Sequence, residues 1–247
     1  PIAQGERLLC SIVRRRDGKN RFYPTYELYR DDHQDQGVPL LKARKCRQTG
    51  GSRYEIVVCD QNQKERVVGK VRSNFIGTAF VVYDNGRNPF RGERESGKED
   101  RGQVRQELAG IIYEPNILGF KGPRRMTILM RRMGPEEQRV PHRPVKREDT
   151  LLGRYKCKNS KESLELHNKS PQWNEETQSY VLNFNGRVTL ASVKNFQVVH
   201  PNDLDYIIMQ FGRIARDHFT MDFQYPMCLL QAFGIALSSF DAKLACE

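Results

Sequence analysis

Residues 225–240, YPMCLLQAFGIALSSF, restrict the fold more tightly than any other stretch of this chain. Wound as a helix with Pro226 in its first turn, the segment sets Leu229, Leu230, Phe233, Ile235, Ala236 and Leu237 almost all round the axis. A helix that is apolar on every side has to be enclosed on every side. A bilayer does not supply the enclosure, because a membrane span needs about 20 mostly apolar residues. The apolar run from Pro226 to Leu237 is much shorter and contains Gln231. Three arrangements remain: a buried strand pair, a helix between packed sheets, or a helix threaded through a barrel.

The rest of the chain reads as strands. Short runs rich in Val, Ile, Phe and Tyr occur at Leu8–Val13, Phe22–Tyr29, Arg53–Val58, Val67–Ser73, Thr78–Tyr83 and Leu108–Tyr113. They continue at Met126–Met130, Leu164–His167, Tyr180–Phe184, Phe196–Val199, Tyr206–Phe211 and Phe219–Phe223. Turn signals at Asp84-Asn85-Gly86, Asn185-Gly186 and Pro201-Asn202-Asp203 fall where hairpins need them. About a dozen strands with few helical patterns between them predict an antiparallel sandwich or barrel. A short helix is predicted at Leu151–Cys157.

Residues 91–102, RGERESGKEDRG, hold four basic and four acidic side chains and no apolar one, which predicts a mobile surface loop. Strand patterns resume on both sides of it, so the 247 residues are expected to form a single domain, 1–247. Six cysteines, at 10, 46, 59, 157, 228 and 246, form no CxxC pair and lack His partners at zinc spacing, which points to reduced thiols in an intracellular setting. The opening Pro1-Ile2-Ala3-Gln4-Gly5 is not a signal peptide, and the missing initial Met suggests an excised domain.

The net charge of +11 is unevenly placed. Residues 1–150 carry 31 Lys plus Arg against 20 Asp plus Glu, whereas residues 151–247 carry 10 of each sign. Such asymmetry fits an anionic partner, or only a solubilising surface. No phosphate-binding loop, dinucleotide fingerprint, metalloprotease helix or nucleophile elbow occurs, and the histidines at 33, 142, 167, 200 and 218 are scattered. The chain is therefore expected to be no enzyme and to carry no catalytic residues, cofactor or metal.

The most informative basic run is Gly69-Lys70-Val71-Arg72-Ser73-Asn74-Phe75. Strand alternation sends Lys70, Arg72 and Asn74 to one face and Val71, Ser73 and Phe75 to the other. Side chains two apart lie roughly 6.5–7 Å from each other, so Lys70 and Arg72 could grip neighbouring phosphates on a sugar-sized ring. The same alternation also describes the wet side of a half-buried sheet. Further basic clusters lie at Arg14–Arg16, Lys42/Arg44/Lys45/Arg47, Lys121/Arg124/Arg125 and Arg131-Arg132.

Several longer motifs resolve these alternatives by resemblance. The ending Ser238–Glu247, Asn183–Val188 with Ala191–Gln197, Gln210–Arg213, Gly69–Asn74, Tyr83–Gly86 and Leu118–Arg124 are similar, in the same order, to the motifs of the tubby-like protein family, closest to its animal members. The resemblance implies a C-terminal tubby domain: mainly β, a closed twelve-stranded antiparallel barrel filled by a hydrophobic C-terminal α-helix at about 226–239. It implies binding of phosphatidylinositol 4,5-bisphosphate headgroups on the cytoplasmic leaflet through Lys70, Arg72 and Arg105. Arg53 stands where the family uses an Asn, a departure that adds a cation to the rim. The acids of residues 91–102, close in sequence to Arg105, are a second departure. The family picture further implies a monomer, peripheral on the inner face of the plasma membrane, with nuclear and ciliary locations. It includes delivery of receptors to cilia through a transport-binding N-terminal segment that this chain lacks. A nucleic-acid-binding or transcription-associated domain is the alternative that the charge allows, although no helix-turn-helix, zinc-finger or ribonucleoprotein pattern appears.

Overall fold

A computed structural model describes residues 1–16, 23–31, 38–47, 50–59, 64–90, 104–114, 125–159, 161–176 and 178–241. The charged segment 91–102, the cluster residues Lys121 and Arg124 and the closing residues 242–247 lie outside that set. The strands, in chain order, are β1 (Arg7–Arg15), β2 (Thr25–Arg30), β3 (Leu41–Cys46), β4 (Arg53–Cys59), β5 (Glu65–Ser73), β6 (Ala79–Asp84) and β7 (Glu107–Tyr113). After β8 (Met126–Arg131) and the short helix α1 (Leu151–Lys156) come β9 (Ser163–Asn168), β10 (Gln172–Asn174), β11 (Ser179–Val181) and β12 (Phe196–Val199). Then β13 (Met209–Ala215) and β14 (His218–Gln224) lead into α2 (Leu229–Asp241).

Twelve strands close an antiparallel barrel in the order β1-β14-β13-β12-β9-β8-β7-β6-β5-β4-β3-β2, and β10 and β11 form a separate ribbon. Closure joins the ends of the barrel sequence, with Leu8 opposite Phe223 and Ile12 opposite Phe219. A closed sheet leaves no edge to recruit another chain. Alternation fills its inside with Cys10, Ile12, Leu28, Ile56, Val71, Phe80, Val82, Ile111 and Phe211, among others, all fully buried.

Inside this wall sits α2, with Ala232, Phe233, Ile235, Ala236 and Leu237 completely shielded. Burying a Leu, Ile or Phe side chain is worth about 1.5–3 kcal/mol, so the helix and its lining dominate the stabilisation. Its polar side chains are engaged, with only Asp241 Oδ2 left without a hydrogen-bond partner. The Gln231 side chain accepts from the Cys228 amide at 3.1 Å, an N-terminal cap, and donates to the Leu108 carbonyl at 2.7 Å. Tyr113 hydroxyl lies 2.8 Å from Ser238 Oγ, which donates to the Ile235 carbonyl. At the C-terminal end, where the helix dipole disfavours an acid, Asp241 pairs with Lys45 of β3. Phe240 lies in the same mouth, 4.7 Å from Tyr26 and 4.8 Å from Phe219 by ring centroid.

Outside, the segment following residue 182 is strapped to the wall. Arg187 grips the fully buried Asp222 at 2.9 and 2.6 Å and reaches Asp31 at 2.6 Å. Asp222 also accepts from Gln210 at 2.7 Å, so the buried carboxylate is fully engaged. Val188 lies so close to β13 that a Cβ on Gly212 would stand 2.3 Å from it.

Four expectations need correction. The basic run 41–46 is β3: Leu41 and Ala43 face in while Lys42 and Arg44 face out, and Lys45, on the inward side, reaches Asp241 at the barrel mouth. Conversely, the run at 180–184 forms no barrel strand, because its first two residues, Tyr180 and Val181, pair with β10 in the ribbon. The β13 strand begins three residues later than the run at Tyr206 suggested. Finally, Pro226 precedes the helix and stands in a turn after a cis peptide bond, so α2 starts at Leu229.

The fit between helix and wall is tight at Gly234, where a Cβ would meet Val82 Cγ2 at 2.6 Å. In an exposed helix interior, Gly→Ala stabilises by about 1 kcal/mol. Here the sign should reverse: Gly234→Ala is expected to lower stability by about 1–3 kcal/mol through overpacking, measured by urea denaturation.

Candidate functional site

Because α2 occupies the interior, polar chemistry is confined to the outer surface. The strongest concentration of charge there spans β4, β5 and β6. Lys70 on β5 stands opposite Glu55 on one side and Tyr83 on the other, and Arg72 stands between Arg53 and Val81. A bulge in β5 at Val68, opposite Ile56 and Val57 of β4, locally increases the twist behind this face. Tyr83 is nearly buried and carries the Arg105 guanidinium over its ring, 3.8 Å from the centroid. A cation held on an aromatic face keeps its charge available to a ligand while its position is set.

Asp84 organises the loop that completes the site. Its Oδ1 accepts from the amides of Gly86 at 2.9 Å and Gln106 at 2.8 Å, and its Oδ2 pairs with Arg143 at 3.2 Å. The Arg105 amide donates to the Arg87 carbonyl at 2.8 Å. Gly86 is required by this close approach, since a Cβ would lie 2.4 Å from Arg105 Cα. Asp84-Asn85-Gly86 is therefore no hairpin turn. It opens the long connection to β7 and clamps the returning strand end against itself.

Together Arg53, Lys70, Arg72, Tyr83, Asn85, Gly86, Arg87, Asn88 and Arg105 line a cavity of about 500 Å³. That is within the usual 300–1,000 Å³ range for small ligands. Five of the nine lining residues are cations and none is a carboxylate. A smaller cavity of about 210 Å³, beside the β10–β11 ribbon, has Lys169 as its one lining cation. Charge density thus separates the two.

All four residues singled out from the sequence meet in the larger cavity. Arg53 arrives paired with Glu55, so part of its charge is already compensated. Two expectations about the strand end fail. Asn74 does not join the cationic face, because its side chain holds the β5–β6 turn, accepting from Thr78 and Ala79 amides at 2.9 and 3.1 Å. Phe75 does not turn inward either, since β5 has ended and 77% of it is exposed. Tyr83, Arg87 and Asn88 are not among the residues singled out from the sequence; Tyr83 reads there as the end of a strand, and the loop residues are brought in by the Asp84 clamp.

Below the cavity, Glu107 stands opposite Tyr83 and is 3% exposed. Burial pushes its carboxyl up to about 7, against hydrogen bonding from the Leu151 amide and the pull of Arg105. A carboxyl raised to about 7 compensates the charge of Arg105 less than an ordinary carboxylate would. His142, 3.9 Å from Glu107, is pushed down to about 4 by burial and by the nearby Arg131 and Arg154.

Comparison with known proteins adds a lineage to this geometry. The Tub family pattern matches residues 1–242. The whole chain aligns with human tubby-related protein 3 at 49% identity over 251 residues, covering 56% of that protein. Mouse tubby-related protein 1 matches at 50% identity over 251 residues, with all of this chain and 45% of the relative covered. Protein king tubby 1 of Aedes aegypti is 51% identical over 252 residues, again with all of this chain and 59% of the relative covered. The chain thus spans about half the length of the relatives it matches.

The buried Glu107–His142 neighbours have opposed pH effects. Glu107 holds its proton in the fold between its ordinary value of 4.5 and about 7, so its stability contribution is full below 4.5 and lost as pH rises through 7. His142 resists protonation between 6.5 and about 4, so its contribution is present above 6.5 and lost as pH falls through 4. The two slopes offset each other in the wild type. Glu107→Gln, which keeps an acceptor for the Leu151 amide, should unmask the histidine: stability rising by about 3 kcal/mol from pH 4 to pH 6.5, read from urea midpoints across that range.

Proposed function

The chain belongs to the Tub family, and from that premise we propose that it is a non-enzymatic module that docks on membranes by binding phosphoinositide headgroups, phosphatidylinositol 4,5-bisphosphate first among them. The observation that carries the proposal is the cavity itself: five cations and no carboxylate around about 500 Å³ of open, concave surface. Two adjacent ring phosphates present several negative charges within one sugar-sized body. Lys70 and Arg72, two residues apart on the same strand face, match that spacing as a point charge and a bidentate fork. Arg105, fixed on Tyr83, and Arg53 add charge from opposite sides.

A concave site of this kind suits a compact headgroup better than a duplex, which would call for an extended basic stripe or an element shaped for a groove. Nucleic acid remains the partner of the alternative reading, and binding to it should then fall away with salt. Delivery of receptors to cilia, contacts with transport machinery through a segment outside the chain, action as a monomer, and location at the inner face of the plasma membrane, nucleus and cilium follow the family reading and belong to the same proposal. The absence of catalysis belongs to it as well. The relatives are named as tubby-related proteins, with no activity in the name. No helix is long and apolar enough to cross a membrane among the described residues.

Vesicle co-sedimentation tests the reading. Lys70→Ala/Arg72→Ala should weaken binding to phosphatidylinositol 4,5-bisphosphate vesicles at least about 30-fold, the loss of about 2 kcal/mol of charge-assisted hydrogen bonding. Wild-type preference for that lipid over phosphatidylserine in the double variant would refute the assignment.

A further inference from the structure

The turn joining β5 to β6 presents two large apolar side chains to water: Phe75 is 77% exposed and Ile76 57%. Single exposed apolar residues are ordinary on protein surfaces. Here two are adjacent, at a hairpin tip, and the tip is built rather than loose. The Asn74 amide group donates to Thr78 Oγ1 at 2.9 Å, while its oxygen accepts the Thr78 and Ala79 amides. The Asn74 backbone amide closes the turn on the Ala79 carbonyl at 2.9 Å, and Gly77 takes the positive φ of +73° that the turn needs. At the root, Ser73 Oγ accepts from the Ser52 amide at 2.7 Å and donates to the Asn74 carbonyl at 2.8 Å. The neighbouring β3–β4 turn is pressed against this root, with a Cβ on Gly51 standing 2.8 Å from the Ser73 and Asn74 carbonyls. The chain thus orders a projection whose apolar end it leaves uncovered.

The position of the tip indicates what covers it. Arg72 and Lys70 lie three and five residues back along the same strand, roughly 10 and 17 Å at the rise of an extended chain. Arg53 stands beside Arg72 in register, and exposed Arg47 lies on the chain that enters the β3–β4 turn. No carboxylate occurs between Lys70 and Tyr83. Cations behind and an apolar point in front complement one surface in particular, an anionic leaflet with phosphates outside and acyl chains beneath. Apolar faces of interfacial segments sink about 5–10 Å into the headgroup and acyl boundary, comparable with the lead of the tip over Arg72.

We propose that the β5–β6 hairpin is a membrane-inserting tip: Phe75 and Ile76 enter the acyl boundary of an anionic leaflet while the cations behind them hold headgroup phosphate. The inference rests on the phosphoinositide reading for the identity of that headgroup. The headgroup then selects the membrane, and insertion prolongs the stay. The two contacts act as linked sites, so their joint binding exceeds what either gives alone.

The test separates the two contacts. Phe75→Ser/Ile76→Ser changes only exposed side chains, so folding should be retained. Its affinity for soluble inositol 1,4,5-trisphosphate, measured by calorimetry, should equal that of the wild type. Its affinity for phosphatidylcholine vesicles containing phosphatidylinositol 4,5-bisphosphate should fall about tenfold or more. Lys70→Ala/Arg72→Ala should lose both. For depth, Phe75→Trp is placed in a Trp173→Phe background, which removes the chain's other tryptophan. On vesicles, that probe should be quenched by brominated acyl chains and shielded from aqueous iodide. Undiminished vesicle affinity in the serine variant, or a probe quenched by iodide and not by brominated chains, would overturn the inference. If the wild type bound no soluble headgroup, the pocket reading would fall. Quenching by brominated chains in phosphatidylserine vesicles would then still support insertion, and its absence would end it.

Discussion

Everything in this molecule is subordinate to the enclosure of α2. A helix apolar on all sides can exist in water only if a wall surrounds it, and twelve strands joined edge to edge supply that wall. The wall in turn has no core of its own without the helix. The cost of inserting a polar side chain is met locally: Gln231 caps the helix start and reaches the β7 backbone, and Ser238 meets Tyr113. The barrel is therefore a solid body. Its outer surface alone is left for recognition, and the strands that pack the interior through one set of side chains display cations through the other.

The candidate site exploits that division. Val71 is fully buried against the core while its neighbours Lys70 and Arg72 are half-exposed above it. The remaining parts come from a loop that cannot be placed by alternation. Asp84 draws the chain back on itself, Gly86 permits the contact, and Tyr83 offers Arg105 a flat seat. Glu107 lies beneath, and burial raises its carboxyl to about 7, so it offsets the charge above it less than an ordinary carboxylate would. A cation-lined cavity is obtained in part from residues that also hold a long connection in place.

Much of this was legible in the sequence, for physical reasons that differ by element. The all-round apolar segment predicted enclosure, and strand alternation separated Lys70 and Arg72 from the core correctly. The expected dozen strands matched the barrel through two errors of opposite sign. The strand Leu41–Cys46 was masked by its cations, and the run at 180–184 was counted although its described strand residues join the outer ribbon. Phe75 was misplaced because alternation holds only while the strand lasts, and Asn74 ends it with side-chain bonds that the pattern does not reveal. The stacking of Arg105 on Tyr83 was invisible for another reason: it joins residues brought together by the Asp84 clamp on Gly86 and Gln106, not by spacing.

The order of the elements along the chain also bears on how the protein comes into being. Synthesis runs from β1 onward, yet the strand that seals the wall, β14, and the helix that fills it are the last of the elements to be made. Until they emerge, the inner faces of the earlier strands have nothing to cover them, and no smaller subset of strands can close. Lacking the helix that covers them, those faces favour association between incompletely folded chains. A stop codon near residue 225 would leave all twelve barrel strands in place and yet remove the helix that fills them, so the stretch after β14 is as intolerant of damage as any strand of the wall.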